Sequence, residues 1–198
     1  MKVVIPEAPQ HLLEWRARTG ADRWDEMWEG VLHMPPAPNK SHQRLEGTME
    51  RWLWDYWAEP TNSEVDHQIN VASVGGWPND YRIPDLVLLT PDRSHIDHNE
   101  YYEGAPTVVV EIRSEGDETF EKLAFYAKIG VPEVWIVDRD TKAPEVHVLT
   151  EGEYATASAD QDGWLHSPAT GVRLRGENGK LGIQMADDEA SRRLLPEV

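Results

Sequence analysis

Three short apolar runs decide the fold: Arg82-Ile-Pro-Asp-Leu-Val-Leu-Leu89, Pro106-Thr-Val-Val-Val-Glu-Ile112 and Val131-Pro-Glu-Val-Trp-Ile-Val-Asp138. Each has about the length of a buried strand and is bounded by proline, glycine or charged residues. A helix over residues 117–129 is predicted between the second and third runs, with Asp117 as its N-cap and Gly130 as its C-cap. Strands and helices in this order predict an α/β fold with a mixed β-sheet flanked by helices.

Two of the runs contain a carboxylate, Asp85 and Glu111. A carboxylate in an apolar strand is costly to bury unless it is paired, hydrogen-bonded or bound to a metal. If the two strands are neighbours with aligned faces, the carboxylates converge on a site suited to Mg²⁺ or Mn²⁺. Taken singly, each is more often a strand-end acid that faces solvent or pairs with an arginine. Their occurrence together with a lysine on the next helix favours the shared site.

That lysine is Lys122, and the helix pattern leaves its orientation open. The apolar stripe of the helix consists of Phe120, Leu123, Ala124 and Ala127, whereas Glu118, Lys122 and Tyr126 form a separate row. In one arrangement Phe120 packs beneath the helix and the lysine row faces the carboxylates. In the other, Lys122 is only an exposed partner of Glu118.

In order along the chain, Pro84-Asp85, Glu111, Lys122 and the segment Gly130-Val-Pro-Glu-Val-Trp-Ile-Val-Asp138 resemble the PD-(D/E)XK nuclease superfamily. Within it, the sequence is similar to a large bacterial family named as putative restriction endonucleases and formerly catalogued as a domain of unknown function. The likeness extends upstream to Trp28-Glu-Gly-Val-Leu-His-Met-Pro-Pro36 and His42, and so covers roughly residues 25–175. The superfamily pattern would place lysine at position 113, where this chain has Arg113. The resemblance makes Lys122 the candidate for that role.

The resemblance implies a restriction-endonuclease-like core and an Mg²⁺- or Mn²⁺-dependent endodeoxyribonuclease that leaves a 5′-phosphate. Asp85, Glu111 and the backbone carbonyl of Ile112 would hold the metal. Asp85, Glu111 and Lys122 would be the catalytic residues, with Lys122 orienting or helping to deprotonate the attacking water. DNA is the expected substrate, and a homodimer is the expected assembly.

A second helix is predicted from Asn39 or Ser41 to about Ala58, ending before Pro60. Its core-facing stripe consists of Leu45, Met49, Trp52, Leu53 and Tyr56. His42 falls on this stripe and Glu46 at its edge. The resemblance makes Glu46 an accessory metal candidate and His42 a candidate contact for substrate or water. The alternative is a core-edge histidine hydrogen-bonded to that acid.

The 198 residues predict a single domain with an N-terminal arm (1–27), a core (28–175) and a charged C-terminal tail (176–198) that ends in a short helix. The segment from Trp28 to Met34 is predicted as one strand. A second, half-buried strand is predicted over residues 65–71, with His67 on its apolar face.

Composition sets limits on this interpretation. The chain has no cysteine, which excludes a disulfide framework or thiolate metal site. No apolar run reaches about 18 residues and no signal peptide is recognised, so we expect a cytoplasmic protein that does not enter membranes.

The charge opposes binding to DNA, because 19 basic and 36 acidic residues give a net charge of −17. Metal ions at the site, a local basic patch, or a substrate other than long duplex DNA would each resolve the conflict. The alternative function is a catalytically degenerate nuclease fold that serves as a binding or assembly module. Nine tryptophans, interpreted as core or interface residues, are compatible with it. A two-carboxylate glycosidase is disfavoured by the lysine and the short chain.

Overall fold

The computed structural model describes residues 3–196, so the ends of the predicted arm and tail, residues 1–2 and 197–198, lie outside the described residues. The helices are α1 (Gln10–Thr19), α2 (Lys40–Leu53), α3 (Glu59–Thr61) and α4 (Thr119–Ile129), with a π-helical segment at Trp54–Ala58 and a 3₁₀ segment at Pro91–Ile96. The strands are β1 (Val3–Ile5), β2 (Glu26–Trp28), β3 (Val31–Met34), β4 (Glu64–His67), β5 (Asn70–Ala72), β6 (Tyr81–Arg82), β7 (Leu86–Leu89), β8 (Tyr101–Glu103), β9 (Val108–Arg113), β10 (Glu133–Asp138), β11 (Pro144–Thr150), β12 (Glu153–Thr156), β13 (Leu165–His166), β14 (Val172–Glu177), β15 (Lys180–Met185) and β16 (Asp188–Leu195).

The central sheet has the strand order β12-β11-β10-β9-β7-β4. Strands β9 and β10 are parallel, whereas β7 runs antiparallel to β9 with Leu86 opposite Val110. The parallel pair requires a crossover, and α4 supplies it. One face of β9 packs with α2 through Val108 and Val110, and the other packs with α4 through Val109. The predicted mixed sheet flanked by helices is therefore confirmed.

A second sheet, β1-β3-β2-β6-β5-β8, lies in the N-terminal half of the chain. Two strands predicted in this region differ from the structure. The segment Trp28–Met34 is not one strand, because Glu29 and Gly30 have φ values of 49° and 87° and turn β2 back onto β3. Residues 65–71 are also divided, since Gln68 has φ 52° and separates β4 of the central sheet from β5. His67 is exposed and lies beside Glu50, so its predicted place on an apolar face is wrong.

The third sheet, β13-β14-β15-β16, is formed by the C-terminal part of the chain. Leu181 and Ile183 of β15 and Leu195 of β16 are buried in the same core as α2. Within the described residues, the segment assigned to a charged tail with a short terminal helix is instead a packed hairpin. The alternation of apolar Leu181, Ile183 and Met185 is the period-2 pattern of a strand.

The helix predicted from Asn39 has the expected cap and core face. Asn39 Oδ1 accepts a hydrogen bond from the His42 amide at 3.0 Å. Leu45, Met49 and Leu53 are fully buried. Pro60 does not end the helical path, because it lies in the first turn of α3, where no proline N–H is needed. Among residues 3–196, no helix combines the length and apolarity needed to cross a membrane.

Candidate active site

Asp85 directly precedes β7 and is held by groups from two other elements. Its Oδ2 accepts a hydrogen bond from the backbone amide of Ile112 on β9 at 2.6 Å. Its Oδ1 lies 2.7 Å from His42 Nε2 on α2. These contacts place the Asp85 carboxylate between the first turn of α2 and strand β9.

Glu111 lies in the middle of β9 and is only 4% exposed. Its Oε1 accepts a hydrogen bond from the Tyr126 hydroxyl at 2.6 Å. Its two carboxylate oxygens lie 3.1 and 3.2 Å from Lys122 Nζ. Burial raises the pKa of Glu111 to about 8, and the nearby Asp85 charge adds to the effect while Lys122 opposes it. A nearby cation therefore stabilises the ionised form of Glu111.

The orientation of α4 settles the two alternatives for Lys122. The inward row is the one that contains Lys122 and Tyr126, whereas Phe120 is 43% exposed. The predicted packing of Phe120 beneath the helix is wrong, and Phe125 and Tyr126 fill that place instead. Lys122 is not an exposed partner of Glu118, whose Oε2 lies 3.0 Å from His33 Nδ1. The lysine row faces the carboxylates.

Glu26 is a member of the site that the sequence reasoning missed. Its Oε1 lies 2.8 Å from Lys122 Nζ and accepts the Ile83 amide at 2.9 Å. Its Oε2 accepts the indole N–H of Trp28 at 2.7 Å. Burial lowers the pKa of Lys122, but the charges of Glu111 and Glu26 outweigh burial and leave that pKa raised. Lys122 is thus a permanent ammonium clamped between two carboxylates.

Glu46 and His42 of α2 lie together with Asp85. One ligand atom from each of the three side chains falls within 4.8 Å of the other two. Burial, and then the charge of Asp85, raises the pKa of Glu46 to about 7. His42 bonds Asp85 rather than Glu46, which differs from the histidine–acid pair considered as an alternative. Burial lowers the pKa of His42, but its hydrogen bond and charge interaction with Asp85 leave that pKa raised.

A pocket of about 490 Å³ contains most of these groups. Asp85, Glu111, Lys122 and His42 line it, and segments 35–39 and 114–119 form its walls. Glu46 lines a second pocket. Residues 24 and 68 line both pockets, so the two adjoin. Ile112 also lines the main pocket.

Arg113, at the position where the superfamily pattern has lysine, does not line this pocket. Its Nη2 lies 3.5 Å from Asp138 Oδ2, and its guanidinium lies 5.4 Å from the Phe120 ring centroid. The positive charge beside Glu111 therefore comes from α4 and not from β9.

The donor set fits a divalent cation. Carboxylate oxygens of Asp85 and Glu46 suit Mg²⁺ and Mn²⁺, and the His42 imidazole suits the softer of these two ions. Glu111, predicted as a metal ligand, lies outside this group of three and contacts Lys122 and Tyr126 instead. Burial, together with the charge of Asp85, raises the pKa of Glu46 and of Glu111, and a cation here would favour their ionised forms. The metal-binding and catalytic roles of these residues stay predictions.

Together, the mixed sheet, the Asp85 and Glu111 carboxylates and the neighbouring Lys122 define a nuclease-like α/β protein. The sequence model of the family described as "Putative restriction endonuclease" (Uma2) matches residues 9–176. The chain therefore belongs to this family, which confirms the resemblance drawn from the sequence.

A solved structure shows the same fold. It is described as the crystal structure of a putative nuclease belonging to DUF820 from Anabaena variabilis ATCC 29413. The TM-score is 0.58 at 16% sequence identity, over 73% of this chain and 82% of that chain. At this identity the likeness concerns the fold alone. Comparison with curated protein sequences gives no match.

Proposed function

We propose that this protein is a metal-dependent endonuclease that hydrolyses phosphodiester bonds of DNA. The observation that carries the proposal is the contact of Lys122 Nζ with Glu111 Oε1 at 3.1 Å, in the same pocket as Asp85. An aspartate, a glutamate and a lysine thus meet in one pocket although position 113 is an arginine. Membership of the family adds support, since the family is described by that activity.

Asp85, Glu111 and the backbone carbonyl of Ile112 would hold Mg²⁺ or Mn²⁺, with Glu46 and His42 as accessory ligands. When bound, such an ion lowers the pKa of a water molecule and stabilises negative charge on phosphoryl oxygens. The Ile112 amide and His42 fix the Asp85 carboxylate from either side, which keeps it oriented toward the pocket.

Lys122 acts in this proposal through its charge. Its raised pKa keeps it protonated, and Glu26 and Glu111 together fix its Nζ. An ammonium held in this way orients a water molecule and offsets the charge that grows on the phosphoryl group. This supports electrostatic stabilisation over proton abstraction by Lys122. The product carrying a 5′-phosphate and the homodimer are further parts of the proposal.

The test is cleavage of end-labelled single-stranded, duplex and branched DNA with Mg²⁺, Mn²⁺ or EDTA. We expect wild-type cleavage that needs metal and is lost in Asp85→Asn, which keeps the shape of the side chain but removes its charge. Asp55→Ala is the matched control, because Asp55 is an exposed acid on the π-helical segment. This control should cleave like the wild type.

Absence of cleavage on every substrate, together with calorimetry that shows no metal binding dependent on Asp85, would overturn the proposal. The alternative would then be the catalytically inactive binding or assembly module, which the net charge of −17 favours.

A further inference from the structure

A cluster of arginines surrounds one tryptophan ring on the C-terminal sheet, away from the residues that line the pocket. The guanidinium carbons of Arg175, Arg173 and Arg192 lie 4.5, 5.3 and 5.8 Å from the centroid of the Trp164 ring. Trp164 itself is 5% exposed. We call Trp164, Arg173, Arg175 and Arg192 the Trp164 cluster.

The Trp164 cluster carries positive charge that its neighbours only partly neutralise. A single carboxylate oxygen, Glu177 Oε2, accepts from Arg175 Nη2 at 2.7 Å and from Arg192 Nη2 at 2.8 Å. Arg173 Nε is buried and has no hydrogen-bond partner among the described residues. Three like charges around one ring repel one another, so a bound anion would stabilise this arrangement.

The cluster remains accessible to a large ligand. The side chains of Arg175 and Arg192 are 23% and 42% exposed. Arg173 and Arg175 lie on one face of β14, while Leu174 between them and Val172 before them are buried on the opposite face. Arg175 and Arg192 are therefore partly accessible, and β14 is anchored in the core through Val172 and Leu174.

The Trp164 cluster is joined to the pocket by a short path through the chain. Strand β14 continues from Arg175 to Gly176, where an added Cβ would lie 3.5 Å from Ala143 Cα. Ala143 belongs to the turn between β10 and β11, and that turn also carries Arg139, which lines the pocket. Strand β14, which carries Arg173 and Arg175, therefore approaches the same turn that contributes Arg139 to the pocket lining.

We propose that the Trp164 cluster binds the phosphates of the nucleic-acid strand on one side of the bond held in the pocket. This inference rests on the proposed function. Guanidinium groups bind phosphate oxygens through paired, directional hydrogen bonds, and nucleic-acid affinity depends on such neutralisation. The cluster would be the local basic surface that allows a chain of net charge −17 to bind a polyanion. Arg192 lies beyond residue 176, outside the segment that the family model matches.

The test is binding of a fluorescein-labelled oligonucleotide, single-stranded or duplex, measured by anisotropy in EDTA over a range of NaCl concentrations. The triple variant Arg173→Gln, Arg175→Gln, Arg192→Gln should bind at least about tenfold more weakly. Its slope of log affinity against log salt should fall by about 2 for a single strand, at roughly 0.7 per phosphate contact. The matched control is Arg18→Gln, an exposed arginine of α1, which should leave both quantities unchanged.

Two further variants separate phosphate binding from simple packing on Trp164. The triple lysine variant at the three arginine positions keeps the charge, so it should keep the wild-type salt slope. Glu177→Gln frees Arg175 and Arg192 from their shared carboxylate, so it should bind more tightly than the wild type. Thermal unfolding of each variant checks that the sheet is intact.

The outcomes distinguish this inference from the proposed function. If the wild type cleaves DNA but the glutamine variant binds like the wild type, or if Glu177→Gln weakens binding, the Trp164 cluster is packing only and this inference is wrong. If the cluster variants behave as expected but no substrate is cut, the nuclease proposal fails while the binding surface stands. If the wild type binds no oligonucleotide in any salt, the inference is overturned as well.

Discussion

Glu46→Gln should stabilise the protein at alkaline pH and leave its stability almost unchanged in acid. Burial, and then the charge of Asp85, raises the pKa of Glu46 from 4.5 to about 7. The folded protein thus binds this proton more tightly than the unfolded chain does. The stabilising contribution is complete below about pH 4.5 and is lost as the pH rises through about 7. At about 1.36 kcal/mol per pH unit, the wild type loses at most about 3 kcal/mol relative to the variant over this window, and solvent in the pocket that Glu46 lines reduces this figure.

The substitution removes the charge at position 46 and keeps the hydrogen-bond acceptor there. Gln68 Nε2 donates to Glu46 Oε1 at 3.1 Å, and a glutamine at position 46 retains an oxygen acceptor for it. Glu46 also raises the pKa of His42, which likewise makes the wild type relatively more stable in acid. Both contributions therefore change the difference between the two proteins in the same direction.

The assay is urea unfolding of the wild type and Glu46→Gln in EDTA, at several values from about pH 4.5 to about pH 8.5. The difference in the free energy of unfolding should grow with pH in favour of the variant. A difference that stays constant across this range would refute the reasoning, because Glu46 would then ionise with an ordinary pKa. Repeating the series with Mn²⁺ should stabilise the wild type at high pH more than the variant, if Glu46 belongs to the metal site.

Two other stability predictions follow from buried carboxylates. Lys122→Met leaves Glu26 and Glu111 without their cation, so the free energy of unfolding should fall by about 3 to 5 kcal/mol at about pH 8.5. The loss should be smaller at about pH 5.5, because the raised pKa of Glu111 favours its neutral form in acid. An equal loss at both pH values in urea unfolding would contradict this. Glu133→Ala should lower the free energy of unfolding by roughly 3 kcal/mol or more, whereas the half-exposed control Glu145→Ala should lose less than about 1 kcal/mol. Glu133→Ala would leave Trp135 Nε1 and the Ala169 amide without their acceptor. The Ser167 hydroxyl would lose the carboxylate to which it donates, although it still accepts from Thr170. Comparable losses in the two variants would show that these hydrogen bonds contribute little.

The central sheet and its paired carboxylates were predictable because their signals are local. Asp85 and Glu111 are acids in or beside apolar runs of about the length of a buried strand. Such a run is expected to be buried, so an acid in it needs a partner. The orientation of Lys122 was not predictable from helical periodicity, since α4 places polar Lys122 inward and leaves Phe120 exposed. The reason is tertiary: Glu111 and Glu26 are contributed by other elements and lie where the Lys122 ammonium reaches both of them.

Glu26 was missed for a different physical reason. Its strand has only three residues and turns at Glu29 and Gly30, so the segment contains too few positions for a period-2 pattern to identify it. The same test that found Glu111, an acid among apolar strand residues, applies to Glu26 beside Met27 and Trp28. Because the strand is so short, its predicted start at Trp28 falls two residues too late and leaves Glu26 outside it.

The hairpin formed by β2 and β3 is therefore part of the site. The Trp28 ring stacks on His33 at 4.0 Å and contacts the Arg82 guanidinium at 4.2 Å. The same Trp28 donates its indole N–H to Glu26, which in turn fixes Lys122. Because Arg113 is engaged with Asp138 and Phe120, the charge beside Glu111 has to reach it from α4. A lysine that approaches from a helix needs a second anchor to hold its long side chain, and the hairpin provides that anchor through Glu26.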